Sequence, residues 1–144
     1  MNTGRRVMGF DYGRRKIGVA VGQTLTGTAQ ALATVPARQG QPDWAGLQRL
    51  IDEWQPELLV VGAPLGPEGE ATPISREAAA FARRLASQSG LSVEQWDERF
   101  STQAARQWYK QGRQQGLTRR SQARSLDGMA ARWMLEDWLR HQPG

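Results

Sequence analysis

The segment Leu58-Leu59-Val60-Val61-Gly62 limits the folds open to this chain more than any other part of the sequence. It is aliphatic throughout and shows no polar alternation, which is typical of a central strand buried on both faces. Apolar residues at helical spacing precede it over 44–54, with Asp43 as the N-cap, and follow it from Pro73 to Gly90. A buried strand between two helices predicts an α/β sheet covered by helices.

The first third of the chain predicts a meander of three antiparallel strands. Arg6–Phe10 and Lys16–Gly22 are short apolar runs joined at Gly13, and a third strand covers Thr28–Val35 and stops before Pro36.

The last third predicts one more strand and two helices. The strand covers Leu91–Trp96, a helix starts at Ser101-Thr102, and the final helix covers Ser121–His141. The resulting order is βββαβαβαα, which describes an α/β fold with a five-stranded mixed sheet and helices on both faces. A chain of 144 residues fits one domain, which we expect to span 1–144.

Composition removes several classes of chemistry. The chain has no cysteine, which excludes disulfides, thiolate zinc sites and cysteine nucleophiles, and its one histidine, His141, disfavours Ser-His-Asp catalysis. A bound metal would therefore be held by carboxylates, which favours Mg²⁺ or Mn²⁺. Because no run of about 18 apolar residues occurs, we expect a cytoplasmic protein without a membrane segment.

Three acidic residues stand out by position. Asp11 ends an apolar strand, Glu98 follows the fifth strand, and Asp127 shares a helix face with apolar residues. That face contains Ala130, Ala131, Met134, Leu135 and Trp138. A charged carboxylate there is costly unless it meets a cation. The alternatives are an Asx turn for Asp11 and a favourable helix dipole for Asp127, with Ser125 and Leu126 in the first turn.

Basic residues surround these acids. All but two of the 19 Lys and Arg residues are Arg, whose planar guanidinium suits phosphate, and the net charge is +5. One basic stretch has no acidic residue and comprises Arg99, Arg106, Lys110, Arg113, Arg119, Arg120 and Arg124; a second comprises Arg14, Arg15 and Lys16. Both are candidate nucleic-acid contacts, with a solvated basic surface as the alternative.

Acids on three separate elements, in a basic setting without available histidine, indicate a carboxylate metal site acting on phosphate. Two divalent ions there could activate a water and stabilise the leaving oxygen of a phosphodiester. The convergence of Asp11, Glu98 and Asp127 is an inference from their positions.

Four motifs give the chain a family resemblance. They are Gly9-Phe10-Asp11-Tyr12-Gly13 with Lys16-Ile17-Gly18-Val19-Ala20-Val21, then Val60-Val61-Gly62-Ala63-Pro64-Leu65, then Asp97-Glu98-Arg99-Phe100-Ser101-Thr102, and finally Asp127 followed by Ala130-Ala131. With these in order over nearly the whole length, the chain resembles the YqgF/RuvX family of pre-16S rRNA nucleases and Holliday-junction-resolvase-like proteins.

The resemblance implies an RNase H-like fold and a divalent-metal-dependent nuclease, a hydrolase of ribosome biogenesis that trims the 5′ end of precursor 16S rRNA. It also implies that Asp11, Glu98 and Asp127 bind the metal ions. The sequence departs from the family pattern at Gly66-Pro67-Glu68-Gly69, where Asn-x-Asp-Gly is common, at Gly128 and at Ala104. None of these departures changes the three acids.

Other functions stay open at this point. A non-catalytic RNA-binding ribosome-assembly factor would keep the same fold and charge, and a resolvase would act on branched DNA. Actin-like ATPases share the strand order and the Asp11-Tyr12-Gly13 turn, but they close two such domains around a nucleotide. Expected partners are precursor rRNA, branched DNA or ribosomal particles, for a monomer or weak dimer.

Overall fold

The computed structural model describes residues 4–97 and 120–142, with side chains in the last helix described from Met129 onward. The elements are β1 Arg6–Asp11, β2 Lys16–Gln23, β3 Thr28–Arg38, β4 Gln41–Pro42, α1 Trp44–Trp54, β5 Leu58–Ala63, α2 Pro73–Ser89, β6 Ser92–Asp97 and α3 Arg120–Arg140. The predicted helix that begins at Ser101-Thr102 lies outside the described residues.

The strands form one mixed sheet in the order β4-β3-β2-β1-β5-β6. β1 lies in the middle, antiparallel to β2 and parallel to β5, so that Met8 pairs with Val21 on one side and with Leu59 on the other. β6 is parallel to β5. The predicted mixed α/β sheet is confirmed, and every residue of β5 is buried.

The predicted strand count of five was wrong, because the described residues form six strands. β3 continues through Pro36, whose carbonyl accepts the Asp43 N–H at 3.0 Å, while the Ala37 N–H donates to the Arg15 carbonyl at 2.8 Å. The proline therefore does not end the strand, since its neighbours keep their hydrogen bonds. A tight turn then brings Gln41 back to pair with Arg38, which creates β4.

Side-chain caps start α1 and α2 where the sequence predicts. Asp43 accepts the Gly46 N–H at 3.2 Å. Thr72 and Ser75 form a reciprocal capping box, Pro73 occupies the first turn, and Gly90 ends α2 with a left-handed backbone, φ 73°. These contacts satisfy terminal N–H groups that the helices cannot satisfy internally.

The helices cover opposite faces of the sheet. α1 and α2 pack on one face in a cluster that we call the aromatic core: Met8, Phe10, Ile17, Val19, Val35, Leu47, Ile51, Leu59, Val61, Phe81, Ala82 and Leu85. α3 packs on the other face, in a cluster that we call the α3 core: Val7, Ala20, Ala29, Leu58, Val60, Ala131, Met134, Leu135, Trp138 and Leu139. Helices on both faces are thus confirmed.

Two hydrogen bonds between indoles and carboxylates join α3 to β6. The Trp96 Nε1–H donates to Asp137 Oδ2 at 2.9 Å, and the Trp138 Nε1–H donates to Glu94 Oε2 at 3.0 Å. Asp137 is only 2% exposed and also pairs with Arg140 at 3.3 Å. In the part of the chain that the structure describes, no helix has the length and apolar character needed to cross a membrane.

Candidate functional site

Asp11 occupies the position that the sequence indicates, at the carboxyl end of the central strand. It is the last residue of β1, pairs with Gly18 and is partly buried. Strand residues alternate between faces, and since Met8 and Phe10 belong to the aromatic core, Asp11 lies on the α3 side of the sheet.

The direction of α3 takes its amino-terminal half towards the same edge. A methyl group placed on Gly9 would lie 3.1 Å from Leu135 Cβ, and one placed on Gly22 would lie 3.0 Å from Leu139 Cδ1. Gly22 pairs with Val7, at the start of β1. α3 therefore runs antiparallel to β1, with its earlier turns towards the end that carries Asp11.

Asp127 lies two helical turns before Leu135, about 12 Å along the axis, while Asp11 lies about 7 Å beyond Gly9. Because α3 begins at Arg120, Asp127 lies well inside the helix. A helix that started at Ser125, as the dipole alternative requires, is contradicted. Of the predicted apolar face, Ala131, Met134, Leu135 and Trp138 are buried, which confirms the prediction for these four, and Ala130 is partly buried.

The third acid follows a strand that ends at this edge. β1, β5 and β6 are mutually parallel, so their carboxyl ends lie together, with Ala63 paired to Asp97 at the end of β6. Ligand sites of α/β sheets occur at such an edge. Glu98 comes directly after Asp97 but lies outside the described residues.

Of the predicted metal ligands, only Asp11 has a described side chain. Within 4–97 and the described side chains of α3, no three His, Asp or Glu residues are grouped to hold a metal ion. The chemistry of the predicted donor set fits Mg²⁺ or Mn²⁺, because hard cations take carboxylate oxygens.

The first basic group lies in the turn between β1 and β2, next to Asp11. Arg14 donates through Nε to Glu77 Oε2 on α2 at 2.8 Å, and its Nη2 lies 2.5 Å from the same oxygen. This hydrogen bond, followed by the charge of Glu77, raises the pKa of Arg14. Arg15 is exposed and Lys16 is partly buried.

Most residues of the second basic group lie outside the described part of the chain. Arg99, Arg106, Lys110, Arg113 and Arg119 lie in the undescribed segment, and Arg120 and Arg124 lie in the first turns of α3, without described side chains. The structure therefore places only the turn group relative to Asp11.

Sequence reasoning missed Tyr12 and Glu77. Tyr12 follows Asp11 but lies on the opposite face, where its hydroxyl donates to the Gly40 carbonyl at 3.2 Å and its ring lies 5.3 Å from Phe81. Burial, and then the Glu77 carboxylate, raise the pKa of Tyr12, while Arg14 lowers it by a smaller amount. No local sequence pattern predicts a contact between residues 14 and 77.

The loop after β5 is closed by its own hydrogen bonds. Gly66 donates its N–H to the Glu70 carbonyl at 2.9 Å, and the Glu70 carboxylate accepts the Glu68 N–H at 3.0 Å. A methyl group on Gly66 would overlap the Glu70 carboxylate. The loop that departs from the family's common sequence is thus closed by hydrogen bonds among its own residues.

Comparisons with known proteins agree with this architecture. A protein-family model described as "RuvX: Holliday junction resolvase" matches residues 5–141. A protein of Azotobacter vinelandii (strain DJ) is 43% identical over 144 residues, 99% of both chains. One of Coxiella burnetii (strain Dugway 5J108-111) is 46% identical over 136 residues, 94% of this chain and 92% of its own. Both are named "Putative pre-16S rRNA nuclease".

Solved structures share the fold at low sequence identity. Thermus thermophilus RuvC in complex with a Holliday junction substrate superposes with a TM-score of 0.56 at 16% identity, over 94% of this chain and 93% of that chain. A second structure of Thermus thermophilus RuvC gives a TM-score of 0.53 at 14% identity, over 94% and 95%. These similarities confirm the expected RNase H-like fold. With a family match over nearly its whole length, the chain belongs to the RuvX family.

Proposed function

We propose that this protein is a divalent-metal-dependent nuclease, a hydrolase of phosphodiester bonds that processes the 5′ end of precursor 16S rRNA. The observation that carries the proposal is Asp11, a partly buried carboxylate at the end of the central strand, at the edge towards which the amino-terminal half of α3 lies. The family and the names of two relatives that are 43% and 46% identical support a nuclease acting on this RNA.

In this proposal Asp11, Glu98 and Asp127 hold Mg²⁺ or Mn²⁺ through their carboxylate oxygens. The ions, when bound, would supply positive charge that activates the attacking water and stabilises the leaving oxygen. Asp11 is held by its strand pairing with Gly18, and the two glycines under α3 let the helix approach β1 and β2 closely. A rigid strand and a closely packed helix are supports that a metal site needs.

The basic residues bind the sugar-phosphate backbone on either side of the reacting phosphate. Their contacts position a strand without reading its sequence. The proposed set is Arg14, Arg15, Lys16, Arg99, Arg106, Lys110, Arg113, Arg119, Arg120 and Arg124. The Glu77 carboxylate on α2 restrains Arg14, and both Arg14 and Arg15 are exposed in the turn that follows Asp11.

The wider proposal is a single nuclease domain spanning 1–144 that works in the cytoplasm on ribosomal particles, as a monomer or weak dimer. Branched DNA is the second candidate substrate, which the description of the family favours. We give precedence to RNA, because the two relatives at 43% and 46% identity are named as pre-16S rRNA nucleases. The RuvC structure with a bound Holliday junction is 16% identical and shows the fold alone.

The test uses the purified full chain with Mg²⁺ or Mn²⁺ and a 16S precursor fragment that carries its 5′ extension. Asp11→Asn should lower the cleavage rate by about 100-fold or more. Mutation of a residue that only hydrogen-bonds to a metal ligand typically lowers activity about 10–100-fold, and Asp11 is proposed as a ligand itself. RNA binding should be retained. Asp52→Asn, a matched change at an exposed residue of α1, should cleave at the wild-type rate.

Three outcomes would contradict the proposal. Equal cleavage by Asp11→Asn would remove Asp11 from the site. Binding without cleavage under either metal would favour the non-catalytic assembly factor. Cleavage of a four-way DNA junction, with the RNA left intact, would replace the substrate.

A further inference from the structure

A cavity of about 210 Å³ lies between the β3–β4 turn and α2, on the face of the sheet opposite Asp11. Its walls combine three aromatic rings, those of Tyr12, Trp44 and Phe81, with the backbone of residues 39–42. Because Asp11 and Tyr12 are consecutive, the cavity opens beside the same edge of the sheet as the proposed catalytic site.

The turn that forms one wall is fixed in place. The Gly40 N–H donates to the Arg14 carbonyl at 3.1 Å, and the Gly40 carbonyl accepts from the Tyr12 hydroxyl at 3.2 Å. Gln39 and Gly40 both have positive φ, 50° and 79°. A non-glycine residue in that region is uncommon and persists where the surrounding contacts hold it. The wall is therefore preformed rather than shaped by a ligand.

Trp44 is a fixed part of the wall. Its ring packs against Phe81, with centroids 5.5 Å apart, and Arg84 Cζ lies 4.8 Å from its centroid. The Trp44 Nε1–H is shielded from solvent and forms no hydrogen bond within the described part of the chain. The indole therefore contributes the surface of its ring to the cavity, rather than its N–H.

Charged groups of both signs line the cavity. Arg84 donates to Gln41 Oε1 at 3.3 Å, and Glu77 is held by Arg14. The exposed Arg15 and Arg38 are brought together where the Ala37 N–H bonds the Arg15 carbonyl. Donors and acceptors beside aromatic rings suit a nucleobase edge, and the surrounding guanidinium groups suit its phosphate.

We propose that this cavity, the nucleotide pocket, binds an unpaired nucleotide of the substrate strand, with the base inside and the phosphate against Arg84. The inference rests on the proposed nuclease function and extends it, because it selects substrates with single-stranded character next to the cleavage site.

The test measures binding in the Asp11→Asn background, so that cleavage does not interfere. The probe is a fluorescent single-stranded RNA decamer, compared with the same sequence as a duplex. Trp44→Phe keeps an aromatic ring against Phe81 but removes part of the cavity wall, and should weaken single-strand binding about 5–10-fold while leaving duplex binding unchanged. Arg84→Gln should also weaken it and reduce the salt dependence. The neighbouring exposed Arg83→Gln is the control and should change binding less than about 2-fold.

Either of two results would overturn the pocket: unchanged single-strand binding by both variants, or equal losses on single strand and duplex. The separate cleavage assay distinguishes this failure from that of the proposed function. If the wild type cleaves but both variants bind the single strand normally, the pocket is excluded and the nuclease function stands. If the wild type does not cleave, the nuclease function is excluded.

A second measurement does not depend on the variants' affinity. In a ¹H–¹⁵N spectrum, the Trp44 Nε1–H resonance, identified by its loss in Trp44→Phe, should shift on addition of the decamer as a base enters the cavity beside the ring. An unmoved resonance would overturn the proposal. A shift produced by adenosine monophosphate alone at micromolar concentration, with none from the decamer, would assign the pocket to free nucleotide instead.

Discussion

The aromatic core and the α3 core lie on opposite faces of the same sheet, but they are held together differently. The aromatic core closes through ring contacts, with Phe81 touching Phe10, Tyr12 and Trp44. The α3 core closes through a helix that lies directly on glycines. On this helix Asp137 accepts a hydrogen bond from Trp96 of β6, and Trp138 donates one to Glu94 of β6. The helix on the face that carries Asp11 is thus hydrogen-bonded to the edge strand β6, whereas α2 on the other face is bonded to the turn after β1 and to β4.

The largest expected stability effect tests the aromatic core. Phe81→Ala removes a 4% exposed ring from between three aromatic neighbours and should lower the free energy of unfolding by about 3–5 kcal/mol. Leu135→Ala on the other face should cost about 2–5 kcal/mol. Urea denaturation measures both. A loss under 1 kcal/mol at Phe81 would show that the aromatic cluster repacks freely.

In the α3 core the helix lies close to two glycines, so here stability should fall when side-chain volume is added rather than removed. Gly22→Ala should cost about 1–3 kcal/mol, because the new methyl group would lie 3.1 Å from the Thr28 carbonyl oxygen as well as against Leu139. Gly9→Ala should cost less, since the nearest atoms belong to the Leu135 side chain and not to the backbone. In a Leu135→Ala background the Gly9→Ala penalty should shrink in part, because Cδ1 and Cδ2 at 3.3 Å are removed while Cβ at 3.1 Å stays. Additive losses in that double-mutant cycle would contradict contact with the two Leu135 methyl groups.

The buried carboxylate of α3, Asp137, gives the next effect. Asp137→Ala leaves the Trp96 N–H without its acceptor and should cost about 1–3 kcal/mol. The matched change Asp43→Ala on the other face removes a helix cap that contacts solvent and should cost about 1 kcal/mol. Thermal unfolding of both variants measures the difference. A smaller loss at Asp137 than at Asp43 would show that α3 does not depend on its bond to β6.

The sequence predicted what local patterns control. Five strands and the three described helices follow from apolar runs, caps and proline or glycine stops. The same patterns identified Asp11 and the buried face of α3. β4 was missed because it depends on hydrogen bonds around Pro36 that have no sequence signature. Glu77 and the nucleotide pocket were missed because they join segments more than 60 residues apart.

Tyr12 supplies the smallest predicted effect and the sharpest contrast with Asp11, its neighbour across the sheet. Burial and Glu77 raise the pKa of Tyr12 above its ordinary value of 10.0. A raised folded-state pKa favours the protonated form, so its stabilising contribution is present below pH 10 and is lost as the pH rises through the folded value. Tyr12→Phe should lower stability by about 0.5–1.5 kcal/mol at neutral pH, because the hydrogen bond to Gly40 is removed. Above pH 10 the difference from wild type should decline, since ionisation then weakens only the tyrosine protein. Urea denaturation at pH 8, 10 and 11 measures this, and a difference that stays constant over that range would show that the hydroxyl is not shielded by the aromatic core.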